Sequence, residues 1–169
     1  MKADGVRARV RAEMTAEIKA VARRHLATDG ADLSLRAVAR DLGMASSAVY
    51  RYFASRDELL TAMIIDAYDA LGSAAEASVS AGRFQDRFLS ACHAVRDWAL
   101  ANPHEWALIY GSPVPGYQAP RDTVEPAIRV IVLIGTIVGE AAAAGSARTS
   151  RPSPSRPRRA HHHSSSAGA

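Results

Sequence analysis

The sequence has 169 residues, of which 48% are hydrophobic, 22% charged and 6% aromatic, and its single cysteine excludes an intrachain disulfide. This suits a globular chain with one good core, or two small units sharing one. Net charge is +4 but uneven: residues 1–56 hold 11 Lys/Arg against 6 Asp/Glu, residues 57–145 hold 5 against 11, and residues 146–169 hold 5 against none. A basic front and an acidic middle fit a DNA-facing unit followed by one that does not touch DNA.

Alanine and leucine are abundant and no stretch alternates β-branched residues, so the predicted fold is all-α. Residues 1–10 read as a basic arm, and Arg7, Arg9 and Arg11 can follow a DNA backbone or remain a solvated arm. A first helix runs from about Ala8 to Thr28, with Ile18, Val21, Ala22 and Leu26 inward, and Asp29-Gly30 ends it. Ser34 is a natural N-cap for a short helix from Leu35 to Leu42. A Gly-Met turn follows, then a second short helix from Ser46 to Phe53. That order is a helix-turn-helix, which lays its second helix in the major groove of DNA. Leu35, Val38, Ala39, Leu42, Val49 and Phe53 face inward. Ala45, Ser46, Ser47, Ala48, Tyr50 and Arg51 face outward, and Ser34 belongs to the same DNA-facing set. Small residues let the backbone approach base edges, while hydroxyl and guanidinium groups bond bases or phosphates.

Ser55 and Glu58 form a capping box that opens a long helix carrying Leu60, Ile64, Tyr68 and Leu71 on one stripe, with Gly72 to Gly82 weakening or ending it. The next helix places Phe84, Phe88, Cys92, Val95 and Ala99 on one face, so Cys92 reads as a buried thiol. Asn102-Pro103 stops that helix and starts another, with Asn102 capping and Glu105 at the third position. Tyr110 to Gly116 is a Pro/Gly loop, and a last apolar helix runs from a cap at Asp122–Glu125 to about Ala144. Its most apolar run, Val130 to Val138, is too short to cross a bilayer, and no signal peptide opens the chain. A cytoplasmic protein with no membrane role is expected. Residues 146–169 are rich in Ser, Arg, Pro and His and read as a disordered basic tail. The abrupt change is what a frame change in a GC-rich gene would give; a genuine tail adding nonspecific DNA affinity is the alternative.

The stretch LRAVARDLGMASSAVYRYFASRDELL resembles the signature of the tetracycline-repressor family, over roughly residues 11–65. The resemblance implies a three-helix DNA-binding domain (1–56), a helical regulatory and dimerisation domain (57–145) and the tail (146–169). It also implies that Arg36 reads a base, that Ser46, Ser47 and Ala48 face the groove, and that Tyr50 holds a phosphate. Tyr52 stands where many members have His, and Arg56 stands at the usual Lys position, where it would bind phosphate. Residues His104 to Tyr117 resemble the regulatory domain of an actinobacterial subgroup of that family. A pocket for an unknown small-molecule effector is implied among the middle helices, with Met63, Tyr68, Phe88, Cys92, Trp98, Trp106 and Tyr110 as candidate linings. The function so read is a homodimeric, ligand-responsive repressor whose partner is a double-stranded DNA operator. The alternatives are a defective regulator that does not dimerise, or a helical interaction module without a DNA role. No nucleophile-elbow, P-loop, zinc-protease or dinucleotide motif is present, so no enzyme is expected. His93 and His104 have no partner cluster at ligand spacing, so no metal or cofactor is expected.

Overall fold

A computed structural model describes residues 2–29 and 33–149. Helix α1 spans Lys2–Asp29, so the described part of the basic arm is not an extended segment but the first turns of this helix. Its Ala, Arg and Glu content explains this, since these residues lose little freedom in a helix. Helices α2 (Leu35–Asp41) and α3 (Ser46–Val49) follow. Ile18, Val21, Ala22 and Leu26 of α1 close over Leu35, Val38, Ala39, Val49 and Phe53, all buried. Gly43 turns the chain between α2 and α3 at φ 64°, a left-handed conformation that costs glycine little.

Helix α4 (Arg56–Ser78) opens on the expected box: the Ser55 hydroxyl accepts the Glu58 N–H at 3.1 Å, and the Glu58 carboxylate accepts the Ala54 N–H at 2.6 Å. It gives Leu59, Leu60 and Met63 to the core shared with α1–α3. α4 ends at Ser78, within the Gly72–Gly82 stretch expected to weaken or end it, after passing through Gly72 itself. Gly72 is buried because Arg129 lies across it, and a β-carbon there would sit 2.9 Å from the Arg129 Nε. The guanidinium donates to Asp69 Oδ1 at 2.8 Å, Ser73 Oγ at 3.2 Å and Glu76 Oε2 at 2.6 Å.

Helices α5 (Phe84–Ala101) and α6 (Pro103–Tyr110), a 3₁₀ turn (Arg121–Thr123) and α7 (Val124–Thr149) complete the bundle. Asn102 does not cap α6 with its side chain; it donates back to the Trp98 carbonyl at 2.9 Å and closes α5. α4 packs on α5 and α7, and Arg87 pairs with Glu140 to tie α5 to α7. α7 reaches Thr149, four residues into the segment read as a disordered tail; the rest of that reading lies outside the described residues. Although Val130–Val138 alone is short, Arg121–Ala144 is long and apolar enough by length and composition to cross a membrane, and its most apolar 18 residues have mean hydropathy 1.9. Only 6% of those 18 residues are buried, and along the span Val124, Ile128, Ile131, Val132 and Val138 are exposed.

Candidate nucleic-acid interface

The second helix of the helix-turn-helix is shorter than its sequence implied. α-Helical geometry ends at Val49, and tighter turns carry the chain to Phe53: Arg51 N–H bonds the Ala48 carbonyl at 3.2 Å and Tyr52 N–H bonds that of Val49 at 2.9 Å. Tyr50, Tyr52 and Phe53 are aromatic and poor at sustaining a helix, and a last turn of i→i+3 bonds is the usual outcome. Val49 and Phe53 anchor the element in the core, which turns Ala45, Ser46, Ser47, Tyr50 and Arg51 to solvent.

Ser34 precedes α2 with extended backbone, but its hydroxyl makes no capping bond. It opens instead on a cleft of about 490 Å³, lined also by Arg36, Tyr50, Ala54, Ser55 and Arg56. Hydroxyls from Ser34 and Tyr50, two guanidinium groups and the start of α4 thus meet on one face. The positive end of the α4 dipole lies there, which together with Arg suits a phosphate. Arg56 lies 3.5 Å from Asp57. Tyr52 is half-buried under Arg11, whose guanidinium carbon sits 5.2 Å from the ring centroid and whose Nη2 donates to the Arg51 carbonyl at 3.0 Å. Arg11 therefore clamps the end of the recognition element rather than belonging to a loose arm. His25 and Asp41, 2.7 Å apart, join α1 to the end of α2.

Behind this face an ionic cluster connects three helices. Arg23 of α1 donates to Glu105 of α6 at 2.6 Å and to Asp66 of α4 at 3.0 Å, and Lys19 reaches Asp66 at 2.6 Å. Beside α6 lies a cavity of about 450 Å³ between α4, α6, the 111–119 loop and α7. Ile64, Leu108, Ile109, Val114, Val124 and Ile128 supply most of its wall, and Tyr68, Ser112, Tyr117 and Thr123 its hydroxyls. Leu108, Val114 and Tyr117 also pack against the core of the α1–α4 head, where Tyr117 Oη and Thr61 Oγ1 are 2.9 Å apart. Burial pushes the Tyr68 phenol above its usual range; the Tyr110 phenol is raised by burial and then by Tyr68.

Residues 18–63 match the family of bacterial regulatory proteins called tetR, and residues 88–164 match the tetracyclin repressor-like C-terminal domain. A crystal structure described as that of a regulatory protein, SCO4313, is 37% identical with a TM-score of 0.71, covering 85% of this chain and 71% of that one. The chain belongs to the tetR family. The HTH-type transcriptional regulators Rv1816 of Mycobacterium tuberculosis and Mb1846 of Mycobacterium bovis are each 49% identical over 132 residues, 75% of this chain and 56% of theirs. The chain thus spans a little over half the length of these curated relatives. A tetR-family regulatory protein from Rhodococcus RHA1 shares the fold at 21% identity, with a TM-score of 0.69 over 78% of this chain and 70% of that one. The C-terminal match runs through residue 164, across the segment whose composition suggested a frame change.

In this tetR-family chain, Ser34, Arg36, Ala45, Ser46, Ser47, Tyr50 and Arg51 are exposed, while Ala48, Tyr52 and Arg56 are half-buried. Four of the ten, Ser34, Arg36, Tyr50 and Arg56, share the cleft. Of the residues proposed to line a ligand pocket, Tyr68, Tyr110 and Trp106 meet in one aromatic group, with the Tyr68 and Tyr110 ring centroids 5.9 Å apart, and the others lie elsewhere. Of the seven, only Tyr68 lines the cavity, and its hydroxyl donates to the Ile109 carbonyl at 3.1 Å. Met63 is 1% exposed in the core of the head. Phe88 packs on Phe84, with ring centroids 5.9 Å apart, and Trp106 on Tyr110 at 4.5 Å. Cys92 and Trp98 are half-buried on α5. Sequence reasoning missed the loop residues Val114 and Tyr117; the usable signal was two large side chains inside a Pro/Gly loop, where binding residues concentrate.

Proposed function

We propose that this chain is a sequence-specific DNA-binding transcriptional regulator, acting in the cytoplasm as a homodimeric repressor whose grip on a double-stranded operator responds to a small molecule. The observation that carries this reading is the convergence of Ser34, Arg36, Tyr50 and Arg56 on one cleft beside the exposed Ala45-Ser46-Ser47 edge. Small residues at that edge let a backbone enter the major groove, and the flanking hydroxyl and guanidinium groups fix the phosphates. Arg36, Ser46, Ser47 and Ala48 read bases in this scheme; Tyr50 and Arg56 hold the backbone. One head covers one half-site, so two copies are needed for a full operator. The exposed stripe Val124, Ile128, Ile131, Val132 and Val138 on α7 supports pairing of copies, because a contiguous apolar face of this kind seeks a partner. The cavity beside α6 is the sensing site. The reading assigns no enzymatic role.

A gel shift with the DNA upstream of the chain's own gene tests it. Tyr50→Phe or Arg56→Ala is expected to weaken binding by about tenfold across all sequences, with a shallower salt dependence for Arg56→Ala. Arg36→Ala is expected to relax sequence preference as well. Salt-independent association, or unchanged affinity and preference in all three variants, refutes the assignment. Mass measurement beside the gel shift reads the dimer, which Ile131→Glu is expected to dissociate.

A further inference from the structure

We infer that the cavity between α4, α6 and α7 takes an uncharged, mainly apolar ligand bearing a single hydrogen-bonding group, and rejects carboxylates and ammonium ions of the same shape. The inference rests on the sensing role proposed above and names the chemistry of that site. None of the residues lining the cavity carries a formal charge, and Ile64, Leu108, Ile109 and Ile128 dominate its wall. A charged ligand entering it would shed water with no counter-ion to meet it, a transfer that is strongly unfavourable. The hydroxyls are mostly engaged already. Tyr68 donates to the Ile109 carbonyl, Thr123 donates to the Pro120 carbonyl at 2.8 Å, and Tyr117 shares a bond with Thr61. Ser112, exposed at the rim, makes no hydrogen bond to the described residues and remains to orient one polar group. The upward push of burial on the Tyr68 phenol agrees with a wall of low polarity. At about 450 Å³ the cavity falls within the ordinary range for small-molecule sites, roughly 300–1,000 Å³.

Three probes of one shape decide it: decan-1-ol, decanoate and decylammonium, titrated into the full chain by calorimetry and by displacement of the neutral dye Nile red. Decan-1-ol is expected to bind at least about tenfold more tightly than either ion. In Ser112→Lys, a change on an exposed loop position, decanoate is expected to gain about tenfold relative to the alcohol. Binding of either ion as tightly as the alcohol, or binding of none of the three, overturns the inference. The same titrations repeated on the operator complex separate the two readings. Preferential binding of decan-1-ol that leaves DNA affinity unmoved supports the ligand class and counts against the sensing role. Release of DNA by decanoate rather than decan-1-ol does the reverse.

Discussion

Arg23 and Lys19 both carry α1 to Asp66 of α4, and Arg23 also reaches Glu105 of α6, so replacing it measures how firmly α1 and α6 are joined. Arg23→Met keeps the aliphatic stem and removes the charge. Asp66 retains Lys19 at 2.6 Å, but Glu105 loses the guanidinium that meets it at 2.6 Å. The Glu105 side chain is 19% exposed and that of Arg23 35%, so the pair lies between two limits. Exposed pairs contribute about 0.2–1 kcal/mol, while removing one partner of a buried pair costs about 3–5 kcal/mol. A loss of about 1.5–2.5 kcal/mol follows, most of it from Glu105 left desolvated without a partner. For a chain of this size that is a fall in Tm of roughly 3–8 °C. Urea unfolding of Arg23→Met, Glu105→Gln and the double variant gives the coupling directly. The double variant is expected to lose about 1 kcal/mol less than the sum of the singles, and this coupling should shrink in about 1 M salt. Single effects that add to within about 0.3 kcal/mol would show that the pair is geometric only.

Two further outcomes test other contacts. Ser55→Ala removes the acceptor for the Glu58 N–H at the start of α4, and is expected to cost about 1 kcal/mol in urea unfolding. The hydrogen bond from Arg129 holds the Glu76 carboxyl below its usual 4.5. A carboxylate depressed in the folded state stabilises above its unfolded value, and that contribution disappears as pH falls through the folded one. Glu76→Gln should therefore melt lower than wild type at neutral pH, and the gap should close on acidification below 4.5; a gap independent of pH would contradict the pairing.

The α1–α4 head was legible because its determinants are local. Gly43 marks the turn, Ser55 and Glu58 mark a helix start, and the spacing of Leu35, Val38, Ala39, Leu42, Val49 and Phe53 marks the inward face; of these six, Leu42 is half-buried against the core and the others are buried. What failed to show was anything decided by distant contact. Ser34 has a capping residue's chemistry, but its hydroxyl faces the cleft. Arg11 lies in a run of basic residues, yet 40 positions separate it from the carbonyl it meets. The Arg23–Glu105 pair spans 82 positions. The cavity wall differs from the expected lining for a related reason: Trp106 and Tyr110 pack on each other, and Met63 falls on the side of α4 that faces the head. The wall comes instead from aliphatic residues of α4, α6 and α7 and from a loop whose Pro and Gly content conceals Val114 and Tyr117.

That division of α4 carries the functional argument furthest. Met63 and Ile64 are consecutive, so their side chains diverge by about 100° around the helix. One is locked in the core with Leu59 and Leu60, and the other forms part of the cavity wall. Further along, Gly72 lets Arg129 tie the same helix to α7. Under the function proposed above, a displacement of Ile64 or Tyr68 would be carried along α4 to α7, through Arg129, and to the head, through Leu60 and Met63. The head has a second connection to the same wall at Thr61 and Tyr117, and a third from α1 to α6 at Arg23 and Glu105. Under the function proposed above, a ligand that favours one position of α4 would shift the spacing of the two heads of a dimer, which is the quantity an operator reads.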